Sequence, residues 1–118
     1  MSNQGKEYDL EERTYIFARE CRILVRRLPK TIESVDDCKQ LMKSSGSVGA
    51  NYIEANEALS KKDFIYRIKL CRKESKESVL WLRLLLDMNL SEQNNINTLI
   101  QEADELKKIF STILKNSE

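Results

Sequence analysis

Residues 44–82, SSGSVGANYIEANEALSKKDFIYRIKLCRKESKESVLWL, decide how this chain folds. The stretch opens on small residues, Ser44-Ser45-Gly46-Ser47-Val48-Gly49-Ala50, which read alone as a loop because each interior glycine costs a helix about 1 kcal/mol relative to alanine. The flanks argue otherwise. Cys38, Leu41, Met42, Ser45, Val48, Gly49, Tyr52 and Ala55 recur at helical spacing and stay in phase across the patch, which predicts one continuous helix over about 34–58, starting near Ser34. On that reading the missing side chains let a neighbouring backbone come close.

The other elements follow outward from this one. Ser60 with Asp63 forms a capping box, and Phe64, Ile68, Cys71, Ser75, Ser78, Leu82 and Leu85 make the inward stripe of a third helix over 61–88. Ser75 and Ser78 lie in mid-stripe, where small side chains would let this helix close on the Gly46/Gly49 patch. Upstream, Asp9 with Glu12 predicts a capped first helix over 9–28, ended by Pro29, with Leu10, Thr14, Phe17, Cys21, Leu24 and Leu28 inward. Downstream, a fourth helix over 91–115 carries Ile96, Leu99, Ile100, Ala103, Leu106, Phe110, Ile113 and Leu114. The connections are short, so consecutive helices must be antiparallel neighbours. The predicted fold is all-α, an up-down-up-down antiparallel four-helix bundle in a single domain, 1–118.

Composition agrees. With 41% hydrophobic and 33% charged residues, three glycines and one proline, long charged helices fit better than a turn-rich sandwich or barrel. A core of this size needs no metal or disulfide staple. Cys21, Cys38 and Cys71 are odd in number and each lies on an apolar stripe, which predicts buried thiols in a reducing compartment. Residues 1–6, MSNQGK, lack the apolar centre of a signal peptide, and the densest apolar run, 79–88, is interrupted by Arg83 and Asp87. The expected location is the cytoplasm, with no membrane contact.

Three runs carry a resemblance. Residues 47–55 (SVGANYIEA), 60–64 (SKKDF) and 73–78 (KESKES) followed by Trp81-Leu82 resemble the central signature of the bacterial four-helix bundle family, often called 23S rRNA intervening-sequence proteins. The resemblance covers about a third of the chain. It implies the bundle, and it implies a homo-oligomer, typically a ring of five. The family takes its name from genes inside intervening sequences of 23S rRNA, and similar bundles accompany reverse transcriptases of diversity-generating retroelements. RNA or a ribonucleoprotein is therefore the implied partner, although this chain is nearly neutral where retroelement-type members are strongly basic.

Self-association is also legible in the residues. A bundle helix needs one apolar stripe, yet Val79, Leu80, Trp81, Leu82, Leu84, Leu85, Leu86 and Met88 surround the end of the third helix almost completely. Ile16 and Ile23 likewise fall outside the stripe of the first helix. Ile16, Ile23, Leu80, Trp81 and Leu84 are the expected interface, because burying a large aliphatic side chain contributes about 1.5–3 kcal/mol. Scattered surface apolars are the alternative.

Chemistry finds little support. There is no histidine, so a carboxylate di-metal site of the Glu-x-x-His kind is short of ligands. No nucleophile–base pair or phosphate-binding glycine loop is present either, and no enzyme, metal, cofactor or small-molecule substrate is expected. Gly46-Ser47-Val48-Gly49 matches a GxxG loop, but that loop works against a sheet and no strands are predicted. Ser47, Asn51 and Glu54 share one helical face, and Glu74 and Glu77 lie beside Leu70 and Trp81; each group is either a solvated face or a polar contact with another helix or subunit.

The charge is +1 overall but uneven: residues 60–83 hold eight basic against three acidic side chains, whereas 31–59 hold two against five. Arg19, Arg22, Arg26 and Lys30 project from the first helix, and Lys62, Lys69, Lys73 and Lys76 from the third, with Tyr66 among them. Such faces suit phosphate contacts, whose affinity falls with salt as counterions are released, and they also suit plain solvation. The first and third helices run parallel, which sets the two basic clusters at opposite ends of the bundle. Two functions remain open: an oligomer that binds structured RNA through these faces, or a protein-interaction scaffold without nucleic acid.

Overall fold

The computed structural model describes residues 9–117, so the signal-peptide reading of residues 1–6 and the outer limits of a 1–118 domain lie outside the described residues. Four α-helices account for nearly all of it: α1 (Leu10–Arg27), α2 (Ile32–Asn56), α3 (Lys61–Met88) and α4 (Gln93–Ser117), with a 3₁₀ turn at Leu90–Glu92. No strand occurs among the described residues.

Their neighbours run antiparallel. Ser44 of α2 meets Ser78 of α3, and Asn51 meets Arg67. On the α1–α4 side, Arg13 meets Glu102 and Arg27 meets Glu92. In each pair, one residue number rises as the other falls.

The interior is built from the four stripes. Phe17, Cys21, Leu41, Val48, Ile68, Cys71, Leu82, Leu85, Ile96, Leu106 and Phe110 are all buried in one cluster. Two thiols feel that environment strongly: burial pushes Cys21 and Cys71 up to about 12. At neutral pH both are therefore protonated, poorly nucleophilic core residues.

The small-residue patch is helical throughout, and α2 crosses it without a break. Its glycines and serines do different jobs. Ser44 and Ser78 face each other with their hydroxyl oxygens 2.8 Å apart, and Cys71 Sγ lies 3.5 Å from the carbonyl oxygen of Val48. Ser75 and Ser78 return their hydroxyls to the carbonyls of Cys71 and Glu74, so these buried polar groups stay satisfied. This is the close α2–α3 seam. The glycines, by contrast, do not face α3. A Cβ at Gly49 would sit 3.1 Å from Thr14 Oγ1, and one at Gly46 would sit 3.3 Å from Arg22 Nη2, so both open toward α1. The expected closure of Ser75 and Ser78 onto Gly46/Gly49 is corrected accordingly: Ser78 meets Ser44, and Ser75 turns its hydroxyl to the Cys71 carbonyl of its own helix.

The two glycines should respond oppositely to alanine. Gly46→Ala meets only the mobile end of an arginine and is expected to stabilise the fold by about 0.5–1 kcal/mol, the helix-propensity gain. Gly49→Ala meets Thr14, which is 1% exposed and whose hydroxyl is held by the carbonyls of Leu10 and Glu11 at 2.8 and 3.0 Å. There the gain is expected to vanish or reverse. Urea unfolding of the two variants side by side checks the sign.

Helix starts depart from the sequence reading in two places. Asp9 precedes α1, but its backbone (φ −102°, ψ 35°) is not extended and its carboxylate caps nothing. The Asp9–Glu12 box is absent; Asp9 contributes only its carbonyl, which accepts from Arg13 N–H at 2.7 Å. For α2 the cap is Thr31, extended at φ −84° and ψ 165°, whose side chain accepts from Ser34 N–H. Ser34 is thus inside the first turn, and α2 begins at Ile32 rather than Ser34. It also ends earlier, at Asn56. Ser60 caps α3 by accepting from Asp63 N–H at 3.0 Å, whereas Ser91 falls within the 3₁₀ turn and α4 begins at Gln93.

Candidate functional surfaces

Three surfaces gather the residues singled out by sequence. The first is the amino-terminal half of α3. Helical spacing places Lys62, Tyr66, Lys69, Lys73 and Lys76 on one outward face, and Lys62, Tyr66, Lys69, Lys73 and Lys76 are all exposed. Lys61, Lys62 and Lys69 border an open depression floored by Ile65 and Tyr66. None of these lysines has an ion-pair partner among the described residues. Tyr66 is 55% exposed, and the Arg67 guanidinium lies 5.6 Å from its ring centroid. Lys61 and Ile65 had not been singled out by sequence. Ile65 sits on the edge of the apolar stripe, where spacing alone does not separate core from floor.

The α1 basic cluster is less available. Arg19 lies 3.4 Å from Glu20 and over the Tyr15 ring. Arg22 donates to the carbonyls of Ala18 and Met42, serving as a strap from α1 to α2. Arg26 and Lys30 remain exposed. Glu11, at the start of α1, accepts from Asn56 at the end of α2, shortly before α3 begins. Lys61 and Lys62 are therefore at the end of the bundle opposite Arg26 and Lys30, and the two basic clusters do not merge within one protomer.

The second surface runs along the α2–α3 seam. Asn51 donates through Nδ2 to the Ser47 carbonyl at 2.9 Å and accepts through Oδ1 from Arg67 Nη1 at 3.1 Å. Arg67 Nε is buried with no partner among the described residues. Further along, Trp81 Nε1 donates to Glu77 Oε2 at 3.3 Å. Burial raises the Glu74 carboxyl, and the nearby Glu77 charge raises it further, against Lys73 and Lys43. Arg67 is the member of this group that sequence reasoning missed; its spacing from Asn51 is visible only once α2 and α3 are paired. Glu54 is exposed, and among the described residues its side chain takes no part in this network.

The third surface is apolar. Leu80 is 48%, Leu84 39% and Met88 61% exposed, one above the other on the face that carries the α3 lysines. Trp81 is only half-buried and packs against the core. On the other side of the bundle, Ile16 and Ile23 are 38% and 43% exposed along a groove between α1 and α4. None of the helices among the described residues is long and apolar enough to cross a membrane.

The profile of the family described as 23S rRNA-intervening sequence protein matches residues 6–112. Among solved structures, a crystal structure from Bacteroides thetaiotaomicron VPI-5482 is similar, with a TM-score of 0.78 and 28% identity, over 89% of this chain and 97% of the other. It is described as a protein with unknown function from the S23 ribosomal protein family. No curated protein matches the chain.

Proposed function

The chain belongs to the 23S rRNA-intervening sequence protein family, and we propose that it is a non-enzymatic, cytoplasmic homo-oligomeric ring that binds structured RNA or a ribonucleoprotein through basic helix faces. The observation that carries this reading is the depression on α3, where Lys61, Lys62 and Lys69 surround an exposed Tyr66 and none of the three has an ion-pair partner among the described residues. Lysines at this spacing engage phosphates, and a tyrosine face between them accepts an unpaired base. Neither contact reads a base edge, so the expected recognition is of shape and of unpaired loops. Arg26 and Lys30 form a smaller second patch at the far end. A ring would repeat both patches around its axis and turn weak single contacts into a multivalent surface.

Filter binding of a labelled RNA hairpin with an unpaired loop, over a salt series, tests this. Affinity should fall steeply with salt. Lys62→Ala with Lys69→Ala should flatten the slope by roughly 0.7–0.9 per lost phosphate contact. Tyr66→Ala should weaken loop binding about 5–150-fold, the value of roughly 1–3 kcal/mol of stacking. Absence of RNA retention at low salt would leave the protein-interaction scaffold as the better reading. That second reading is favoured by one observation, the exposed apolar run of Leu80, Leu84 and Met88 on α3, which another protein could cover.

A further inference from the structure

Charge on α3 is sorted around the helix axis as well as along it. From Lys61 to Arg83 the helix carries eight basic and three acidic residues. At about 100° per residue, Lys61, Lys69, Arg72, Lys76 and Arg83 fall within a sector of about 80°. Asp63, Glu74 and Glu77 all lie on the other flank, the one from which Arg67 reaches Asn51 of α2.

The basic row is therefore uncompensated. Within α3 only Asp87, one turn beyond Arg83, lies three or four residues from any of its five members, and none of the five has an ion-pair partner among the described residues. Lys61, Lys69, Lys76 and Arg83 are exposed, and Arg72 is half-buried. Along the axis the row extends about 33 Å, at about 1.5 Å per residue. The depression floored by Ile65 and Tyr66 lies at one end of it. The apolar run through Leu80, Leu84 and Met88 rotates toward the α2 flank and diverges from the row. A net charge of +1 is no obstacle to anion binding here, because the charges are segregated rather than numerous.

A straight row on the convex side of one helix fits one sugar–phosphate backbone. An A-form duplex presents two backbones that wind about its axis, across a major groove too deep and narrow for side chains to read, so it would meet such a row at few points. A single strand can follow the row throughout. It can also lay an unpaired base on Tyr66, whose side of the helix is 55% exposed.

Resting on the RNA reading above, we infer that Lys61, Lys69, Arg72, Lys76 and Arg83 form one continuous track for the backbone of a single RNA strand, running from the Tyr66 depression to Arg83. A stacked strand rises about 3.4 Å per nucleotide, so the track holds at most about ten. Arg72 and Arg83 join the lysines by their position around the helix alone, and Asp87 marks where the track stops.

Fluorescence anisotropy of labelled oligouridylates of about four to twelve nucleotides, with the full chain at about 0.1 M salt, tests the track. Affinity should climb with length and level off near ten. In Arg83→Ala the gain in affinity from four to ten nucleotides should shrink about fivefold, and the salt slope of the ten-nucleotide strand should flatten by roughly 0.7, the release from one single-strand phosphate. Because the gain is a ratio of two affinities of the same sample, a partly unfolded variant does not mimic the effect. A length dependence that stops at four nucleotides, or a gain that Arg83→Ala leaves intact, would overturn the track while the depression still binds RNA. A duplex of the same length that binds more tightly than the strand would overturn the single-strand assignment. No retention of any RNA at low salt would remove the RNA reading and the track together.

Discussion

Phe110→Ala is expected to cost about 3–5 kcal/mol of folding stability. Phe110 is 0% exposed, sits in the main cluster on α4 and packs a tilted ring against Tyr52 of α2, with centroids 6.1 Å apart. Helices α2 and α4 are diagonal partners, so this aromatic pair reaches across the bundle. Its loss leaves a cavity which the packed helices around it cannot collapse to fill, and that places the cost in the upper part of the range for large-to-small changes. Chemical denaturation should show the lower midpoint with an unchanged slope, the mark of lost stability rather than a changed unfolded state.

Leu82 and Leu80, two residues apart on α3, should behave as opposites. Leu82 is 0% exposed, and Leu82→Ala should cost about 2–5 kcal/mol at any protein concentration. Leu80 is 48% exposed, and Leu80→Ala should leave the isolated protomer within about 0.5 kcal/mol of wild type. On the expectation that self-association covers Leu80, its substitution should lower apparent stability at high concentration and lose its effect on dilution. Denaturation curves recorded over a dilution series separate the two. A Leu80→Ala effect independent of concentration would mean that its side chain stabilises only its own protomer.

That contrast shows why the sequence was informative about the core and less so about the surfaces. All six residues of the first-helix stripe are buried, from Leu10 to Leu28, because a stripe at helical spacing has only one way to leave water. The continuous α2 was legible for the same reason: periodicity on both sides of the glycines outweighed a local cost of about 2 kcal/mol for two interior glycines. What the glycines face was not legible. The sequence pattern does not say whether a bare patch opens toward the preceding helix or the following one, and Thr14, a polar residue on an apolar stripe, was the clue that α1 comes close there.

The caps separate for a conformational reason. Asp9 and Ser34 both have capping chemistry and a carboxylate three residues on, but capping also needs an extended backbone, which Thr31 has and Asp9 lacks. Of the candidate surfaces, the lysine face of α3 follows from spacing alone. The Asn51–Arg67 contact depends on how helices pair, information that resides in tertiary contacts. Arg22, one of the basic candidates, proved to be partly a structural strap, since a long side chain can satisfy backbone carbonyls as readily as it can meet a phosphate.

The central claim is that one protomer carries more apolar surface than it can cover. Multi-angle light scattering across a dilution series of the unmodified protein tests it most directly. The expected result is a single species at a whole-number multiple of the 13.8 kDa protomer mass, greater than two and constant across the series, as a closed ring requires. A mass of 13.8 kDa throughout the micromolar range would contradict it.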